Sequence, residues 1–199
     1  FVRVRITCGD GSTGHGFTGR FCAAEVAHLL NGAIAEGLKN GVSLPDLARK
    51  MNPRGMTGVV VSALSALDVA MWDLVGRRAG QSVAKLLGAQ RAAAPVHVTC
   101  GFSALKVDDL IEACAAEIAA GATGVKVLVA GKGRSVANDI ARVAAVRRGI
   151  GEAADLIADA NCGWDLESAR MFSRGVADLN LTWLEEPLRW TDDRHETTL

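Results

Sequence analysis

The chain begins with alternating apolar and polar residues. Residues 2–7 (VRVRIT) show the period of two that is typical of a half-buried strand. Gly-Asp-Gly at 9–11 predicts a turn, and the glycine-rich residues 12–19 predict a second strand or a loop. Together they indicate a hairpin. Gly14-His15-Gly16 lacks both a third glycine and an immediately following helix, so we predict no dinucleotide site there.

Helical periodicity follows the hairpin. Apolar residues recur at intervals of three or four over residues 23–38, 44–51 and 59–76, and a short helix is predicted around Val83–Leu87. The apolar face predicted for the third segment consists of Leu64, Leu67, Met71, Trp72 and Val75. Asp68 falls on the same face, where a buried carboxylate needs a partner, so we expect it to tie this helix to a neighbour.

After Gly88, short apolar runs alternate with amphipathic segments. Strands are predicted at residues 95–101, 124–130, 156–160 and 181–185, with a helix between each pair. This β-α-β-α-β-α-β order predicts parallel strands joined by right-handed crossovers, in a doubly wound sheet or a (β/α)8 barrel. No glycine-rich phosphate loop follows any of these strands, which disfavours the nucleotide-binding folds.

The composition is that of a folded globular chain. Of its 199 residues, 49% are hydrophobic, and the 22 basic and 22 acidic residues give no net charge, which argues against nucleic-acid binding. No apolar run approaches the roughly 18–20 residues that cross a membrane, so we expect no membrane span. We find no signal-peptide pattern. The five cysteines form neither CxxC nor a Cys/His cluster, which favours reduced thiols in a cytoplasmic protein.

Two acidic residues follow the apolar runs of neighbouring predicted strands. Asp159 and Glu185 lie one strand–helix repeat apart, so parallel pairing would place them side by side at the carboxyl edge of the sheet. Two adjacent carboxylates repel each other unless a proton or a cation intervenes, and hard oxygen ligands favour Mg²⁺. Beside a substrate carboxylate, Mg²⁺ would stabilise the charge formed when the α-proton leaves. The alternative is that both acids are solvated or paired with arginine.

Several motifs, taken in order, resemble one known family. Residues 62–88 (SALSALDVAMWDLVGRRAGQSVAKLLG) contain the Asp68-x-x-x-Trp72-Asp73 pattern and end in Lys-Leu-Leu-Gly. They are followed by DIARVAAVRRGIG at 139–151, DAN at 159–161 and WLEEP at 183–187. This series, over nearly the whole chain, resembles the mandelate racemase/muconate lactonizing enzyme family of the enolase superfamily.

The resemblance implies two domains. Residues 1–90 would form an α+β capping domain whose start is missing. Residues 91–199 would form the first half of an α/β (β/α)8 TIM-type barrel, with barrel strands 1–4. A complete barrel takes about 250 residues. We therefore expect the chain to be part of a longer protein.

The resemblance also implies a metal site. Asp159 and Glu185 match the first two ligands of the family's Mg²⁺ cofactor. The third ligand would end a fifth strand beyond Leu199, because neither Glu186 nor Asp192 falls where such a strand could end. His195 is expected on the surface rather than in the catalytic site.

The second barrel strand departs from the family pattern. Lys126 aligns with the first lysine of a Lys-x-Lys pair, but Leu128 replaces the second, which serves as the general base; both should face inward. Beside Mg²⁺ and another cation, we expect the pKa of Lys126 to be lowered and Lys126 to be catalytic in proton transfer. Alternatively, it only balances the charge of the metal carboxylates. Lys132, in the following loop, is not expected to replace the missing base.

The implied reaction removes the proton α to a carboxylate. Water is then lost, as in an acid-sugar dehydratase (a lyase), or the carbon is reprotonated, as in a racemase or epimerase (an isomerase). Leu128 favours dehydration with a base from a later strand. The implied partners are a small carboxylate substrate and further copies of the chain in a homo-oligomer, with no nucleic acid or membrane. Two alternatives are a catalytically silent homologue that binds metal or ligand, and an interaction role for an incomplete barrel with unpaired strand edges.

Overall fold

The computed structural model describes residues 1–51, 58–101 and 104–189. The chain divides into two compact units, Phe1–Ala92 and Ala93–Leu199. The first unit combines an antiparallel hairpin with helices, and the second combines a parallel sheet with helices. This is the predicted fold class, an α+β capping domain followed by the first half of a (β/α)8 barrel.

In the first unit, β1 (Val2–Thr7) pairs antiparallel with β2 (Thr13–Thr18) along its whole length. Residues 12–19, for which the sequence pattern allows a strand or a loop, therefore contain a strand. The helices of the described part of this unit are α1 (Ala23–Leu29), α2 (Ala35–Lys39), α3 (Leu44–Met51), α4 (Gly58–Ala79) and α5 (Val83–Leu86).

The single helix predicted over residues 23–38 is interrupted. Leu30–Ile34 is wound as a π-helix in which Gly32 has non-helical backbone angles (φ −95°, ψ −109°). Glycine reaches such angles at little cost because it has no Cβ, so α1 and α2 form separate segments. Pro53 and Gly55, which the sequence suggests as the end of α3, lie outside the described residues.

The long helix α4 packs closely against β2. A Cβ added to Gly14 would lie 2.1 Å from the carbonyl oxygen of Ala70, and one added to Gly16 would lie 1.9 Å from that of Ala66. Because backbone atoms cannot move aside as a flexible side chain can, these two glycines set the distance between hairpin and helix. The buried residues of α4 are small or aliphatic: Ala63, Leu64, Ala66, Leu67, Ala70, Leu74 and Gly76.

Part of the buried face predicted for α4 is wrong. Trp72 and Val75 are 37% and 48% exposed, and Asp68 is exposed as well. The carboxylate that ties this helix to the hairpin is instead Asp73, which accepts the backbone N–H of His15 at 2.8 Å. The apolar side chains of α4 lie on most sides of the helix, so their periodicity alone does not identify the side that packs against the hairpin.

Helix α4 is also an exception to the expectation that no apolar segment is long enough to cross a membrane. The 22 residues of α4 contain an 18-residue window with a mean hydropathy of 1.7, which is long and apolar enough to cross a membrane. One such helix is weak support for a membrane span, because core helices meet the same criterion. About a third of the window (33%) is buried within the structure.

The second unit contains a parallel sheet with the strand order β3-β4-β5-β6. Its strands are β3 (His97–Cys100), β4 (Gly124–Leu128), β5 (Asp155–Asp159) and β6 (Trp183–Glu185). They are connected in turn by α6 (Val107–Ala119), α7 (Val136–Ile150) and α8 (Leu166–Gly175). The predicted alternation of strands and helices is confirmed. The sequence pattern predicts the last helix over residues 165–179, whereas α8 ends at Gly175 and is followed by a 3-10 turn at Ala177–Leu179.

The two faces of this sheet differ in chemistry. One face packs on the helices, and its core includes Val125, Val127, Leu156, Ala158, Leu110, Val143, Val146 and Phe172. Because side chains alternate along each strand, the opposite face carries Lys126, Leu128, Asp159 and Glu185.

A buried arginine joins α7 to the loops at its carboxyl end. Arg147 is 3% exposed and donates hydrogen bonds of 2.8–2.9 Å to backbone carbonyls. The acceptors are the carbonyls of Gly151, Ala154, Leu179 and Asn180. The buried guanidinium therefore satisfies backbone acceptors in two separate loops.

The cysteines are all free thiols in the structure, but their surroundings differ. Cys100 and Cys114 are buried in the core of the second unit, whereas Cys22 is exposed. Burial raises the pKa of the Cys114 thiol to about 12, because the thiolate would lose its hydration there.

Candidate metal centre

The carboxyl ends of β4, β5 and β6 bring three residues into one row. In the parallel register, Leu128 lies opposite Asp159, and Asp159 lies opposite Glu185. Paired residues of neighbouring parallel strands point to the same face of the sheet, so the two carboxylates are neighbours. The structure thus brings together the two acids that sequence spacing alone placed at one edge.

Lys126 lies two residues before Leu128 on β4 and reaches both carboxylates. Its Nζ lies 2.8 Å from Oε1 of Glu185 and 3.0 Å from Oδ2 of Asp159. The side chains of Lys126 and Asp159 are 22% and 7% exposed, and that of Glu185 is 32% exposed. The acids are therefore paired with a lysine, not with the arginine that the sequence left as an alternative.

The remaining carboxylate oxygens also have partners. Oδ1 of Asp159 accepts the backbone N–H of Asn161 at 2.8 Å, and Oε2 of Glu185 accepts the indole N–H of Trp183 at 3.2 Å. The Trp183 contact was not part of the sequence prediction. The period of two along β6 could have suggested it, because Trp183 and Glu185 share a face.

The backbone beside these acids has unusual angles. Asn161 and Glu186 have φ values of 48° and 45°, and Ala130, just beyond β4, has φ 56°. Non-glycine residues rarely adopt this left-handed region, and such residues cluster at functional sites. The loops at the carboxyl ends of β4, β5 and β6 therefore share a conformation that the surrounding structure must stabilise.

Charge pairing determines the protonation of the site. The hydrogen bond from Lys126 holds the pKa of Glu185 below its ordinary value, although burial opposes this shift. The same hydrogen bond raises the pKa of Lys126 above its ordinary value. The neighbours of Lys126 in this arrangement are two carboxylates, and its pKa is therefore raised. The lowered pKa expected from the sequence applies to a site that also holds Mg²⁺ and a second cation, and it stays a prediction.

The donor set suits a hard divalent cation. Carboxylate oxygens are the ligands that Mg²⁺ prefers, and Mg²⁺ is commonly bound by one or two carboxylates with several waters retained. The pair already attracts one cation, the ammonium of Lys126. Asp159 and Glu185 therefore fit Mg²⁺ as two of its ligands.

The described part of the chain supplies no complete metal cluster. Within residues 1–51, 58–101 and 104–189, no group of three His, Cys, Asp or Glu side chains is arranged to hold a metal ion. Glu186 is exposed. Asp192 and His195 lie outside the described residues.

Leu128 places an apolar side chain in the row of the two acids. It stands where the resemblance calls for a lysine base. Lys132 is exposed in the loop between β4 and α7.

Comparison with known proteins extends over both units. Residues 1–88 match the profile described as mandelate racemase / muconate lactonizing enzyme, N-terminal domain. Residues 109–198 match the profile described as enolase C-terminal domain-like.

Curated relatives and solved structures agree with these profiles. An L-talarate/galactarate dehydratase from Salmonella typhimurium is 38% identical over 135 residues, which are 67% of this chain and 33% of that protein. A 3,6-anhydro-alpha-L-galactonate cycloisomerase from Streptomyces coelicolor is 32% identical over 195 residues, which are 94% of this chain and 53% of that protein. The crystal structure of L-talarate dehydratase from Polaromonas sp. JS666, complexed with Mg and L-glucarate, matches with a TM-score of 0.79 at 33% sequence identity. The match covers 98% of this chain and 57% of the Polaromonas chain. The chain thus spans about a third to a half of the length of these curated relatives.

Proposed function

The chain belongs to the mandelate racemase/muconate lactonizing enzyme family of the enolase superfamily, and from this we propose that it contributes a Mg²⁺ site to an enzyme that removes the proton α to a carboxylate. The observation that carries the proposal is the pair of carboxylates, Asp159 and Glu185, that end adjacent strands and share the ammonium of Lys126. A small acid sugar is the proposed substrate class, since the relatives named above include a dehydratase of acid sugars.

In this proposal each side chain of the site has a defined task. Asp159 and Glu185 hold Mg²⁺, which when bound supplies positive charge that stabilises the negative charge growing on the substrate carboxylate. The Asn161 N–H and the Trp183 indole orient the two carboxylates from their other oxygens. This preorganisation keeps the ligands in place before the substrate arrives.

Lys126 is the proposed catalytic residue. Its ammonium lies within hydrogen-bond distance of both ligands, so a carboxylate bound at the metal would also lie in its field. Its raised pKa keeps it charged at neutral pH in the metal-free site, where it balances the two acids. For Lys126 to transfer a proton, its ammonium would have to leave the pairing with Asp159 and Glu185 when those acids hold Mg²⁺. The alternative role of Lys126 is to balance the charge of the two acids.

Leu128 favours one reaction course within this class. A leucine cannot exchange a proton, so the face of the substrate toward β4 has no base at that position. A single base elsewhere is sufficient for dehydration, whereas racemisation and epimerisation need proton transfer on both faces. We therefore propose that the enzyme is a lyase of the acid-sugar dehydratase type in preference to an isomerase.

The wider setting is part of the same proposal. Residues 1–90 would act as the capping domain and residues 91–199 as barrel strands 1–4 of a cytoplasmic homo-oligomer. The exposed apolar side chains of Val69, Trp72 and Val75 on α4 are compatible with burial in an assembly. Light scattering of the complete protein would measure the number of subunits.

The metal assignment can be tested by isothermal titration of the complete protein with Mg²⁺. Asp159→Asn and Glu185→Gln should each weaken binding more than about tenfold, because each removes a charged ligand. Glu186→Gln is the matched control, since this exposed neighbour should leave affinity unchanged. Wild-type affinity in both ligand variants would remove the two acids from the site.

The alternative of a catalytically silent homologue is favoured by one observation, the leucine at position 128. Exchange of the α-proton in D₂O across a set of acid sugars separates the two hypotheses. If Mg²⁺ binds but no compound exchanges or loses water, the protein is a binding homologue and the enzyme proposal fails.

A further inference from the structure

A histidine and an aspartate meet across the second strand of the parallel sheet. His97 on β3 lies opposite Gly124 on β4, and Gly124 lies opposite Asp155 on β5. Neighbouring strands lie about 4.8 Å apart, so a side chain on β4 would normally separate the two residues. Gly124 has none, and a Cβ added there would lie 2.4 Å from Cβ of Asp155 and 2.9 Å from Cδ2 of His97. The glycine therefore leaves the space in which His97 and Asp155 meet.

The contact between these two side chains holds the imidazole of His97. Its Nε2 lies 2.9 Å from Oδ2 of Asp155, and Oδ1 of Asp155 accepts the hydroxyl of Thr182 at 3.3 Å. The hydrogen bond from His97 holds the pKa of the Asp155 carboxyl below its ordinary value, so this acid is ionised at neutral pH. A carboxylate can only accept hydrogen bonds, so Nε2 of His97 carries the proton that joins the two side chains.

The same imidazole packs against a tryptophan on the far strand of the sheet. The rings of His97 and Trp183 are edge to face, with centroids 5.4 Å apart and planes at 64°, although β4 and β5 run between their strands. Aromatic rings prefer such an arrangement to a face-to-face one. Trp183 is 43% exposed, so the core does not enclose its indole, and the imidazole limits the positions open to it.

Trp183 connects this contact to the proposed metal site. Its indole N–H donates to Oε2 of Glu185 at 3.2 Å, while the ammonium of Lys126 contacts the other oxygen, Oε1. Asp155 and His97 begin their strands, whereas Glu185 ends β6. A series of three side chains, Asp155, His97 and Trp183, thus leads from the amino end of the sheet to a metal ligand at its carboxyl end.

We propose that His97 is a positioning residue for Glu185 and acts through Trp183. The imidazole, held by Asp155, limits the rotation of the indole, and the indole N–H holds the carboxylate of Glu185 in the orientation that binds Mg²⁺. In this role His97 contacts neither the metal nor the substrate. The proposal rests on the Mg²⁺ site proposed above, and it adds to that site a histidine at the opposite end of the strands.

The first test is the ¹H–¹⁵N spectrum of the indole groups in the complete, metal-free protein. In His97→Gln, the glutamine can still donate to Asp155 but presents no ring, so the indole signal of Trp183 should shift relative to the wild type. Trp183→Phe identifies that signal by removing it. The indole signal of Trp164, whose ring packs on Phe172 instead, should stay in place and show that the fold is kept.

The second test is calorimetric titration of the complete protein with Mg²⁺. Trp183→Phe should weaken binding about tenfold, the lower end of the range for residues that orient a metal ligand. His97→Gln, one contact further away, should weaken binding about threefold. His97→Phe, which restores an aromatic edge beside the indole, should recover part of that loss. His28→Gln, exposed on α1, is the control and should bind as the wild type does.

A double variant separates positioning from a general loss of structure. Because His97 acts through Trp183, adding His97→Gln to Trp183→Phe should cause no further loss of Mg²⁺ affinity. Additive losses, or an unmoved Trp183 indole signal in His97→Gln, would overturn the proposal. Weakened binding in Asp159→Asn and Glu185→Gln with none in His97→Gln would overturn the role of His97 alone. Wild-type affinity in those two ligand variants would overturn the metal site, and the role of His97 with it.

Discussion

The ammonium of Lys126 on β4 lies 2.8 Å from Oε1 of Glu185 on β6, although β5 runs between these two strands. The intervening strand contributes Asp159, which contacts the same Nζ at 3.0 Å. Three strands are thus joined at their carboxyl ends by one cation. Their pairing lowers the pKa of Glu185 and raises the pKa of Lys126.

Removal of that cation should change the titration of Glu185. In Lys126→Gln, the pKa of Glu185 should rise relative to the wild type, because the hydrogen bond that lowers it is lost. Carbon-detected NMR of the side-chain carboxyl in metal-free protein measures this directly. Lys132→Gln, in the exposed loop, is the control, and an unchanged Glu185 titration in Lys126→Gln would contradict the pairing.

The same pairing predicts a pH dependence of stability. The folded-state pKa of Glu185 is below its ordinary value of 4.5, so the pairing stabilises the fold above about pH 4.5. This stabilisation is lost as the pH falls through the folded-state pKa. The difference in free energy of unfolding between wild type and Lys126→Gln should therefore be constant near neutral pH and shrink on acidification. A difference that grows in acid would be inconsistent with the lowered pKa.

Leu128 predicts the stereochemical outcome with an active substrate. The product of dehydration should accumulate in D₂O without epimerised substrate, because no base stands at position 128 to deliver a proton to the second face. Proton NMR of the recovered substrate measures both epimer content and deuterium. Accumulation of the epimer would show that another group supplies the second proton.

Gly16→Ala should destabilise the first unit by about 3 kcal/mol, because the new methyl group would overlap the backbone of α4. Gly19→Ala is the matched control, since a Cβ there meets nothing within 4 Å. Chemical denaturation followed by circular dichroism compares the two variants. Equal stability of Gly16→Ala and Gly19→Ala would argue against the close approach of β2 to α4.

Arg147→Ala should lower the free energy of unfolding by about 3 kcal/mol, because it leaves four part-buried backbone carbonyls without their charged donor. Arg148→Ala, at the exposed adjacent residue, should change stability by less than about 0.5 kcal/mol. Thermal or urea unfolding distinguishes them. Similar losses in both variants would mean that the contacts of Arg147 are unimportant for stability.

Cysteine alkylation should follow burial. At pH 8, iodoacetamide should modify Cys22 rapidly and Cys114 only on unfolding, because Cys114 is buried and has a pKa of about 12. Peptide mass spectrometry over time gives each rate. Fast modification of Cys114 in the folded protein would require that α6 open readily.

Local sequence pattern was sufficient for most elements of the second unit. The strand predicted at residues 124–130 is observed at Gly124–Leu128, and that predicted at 156–160 is observed at Asp155–Asp159. The adjacency of Asp159 and Glu185 followed as well, because parallel strands with one helix between them bring their carboxyl ends to the same edge. These features depend on periodicity and chain order, both of which the sequence contains.

The first unit shows where such patterns are insufficient. The apolar residues of α4 are consistent with several buried faces, and the observed one is set by the fit of Gly14 and Gly16 against its backbone. The break at Gly32 is similar, because a glycine permits non-helical angles without requiring them. Packing between elements decides both, and no local window of sequence contains that information.

The sequence by itself determined the order of strands and helices, the edge at which the two acids meet and the apolar residue at position 128. Only the tertiary structure decided that Lys126 is shared by Asp159 and Glu185, 33 and 59 residues further along the chain. The physical reason is the separation in sequence over which each kind of interaction acts. Strand and helix patterns arise from neighbours a few residues apart, whereas charge interactions depend on distances of a few ångströms between residues far apart in the chain.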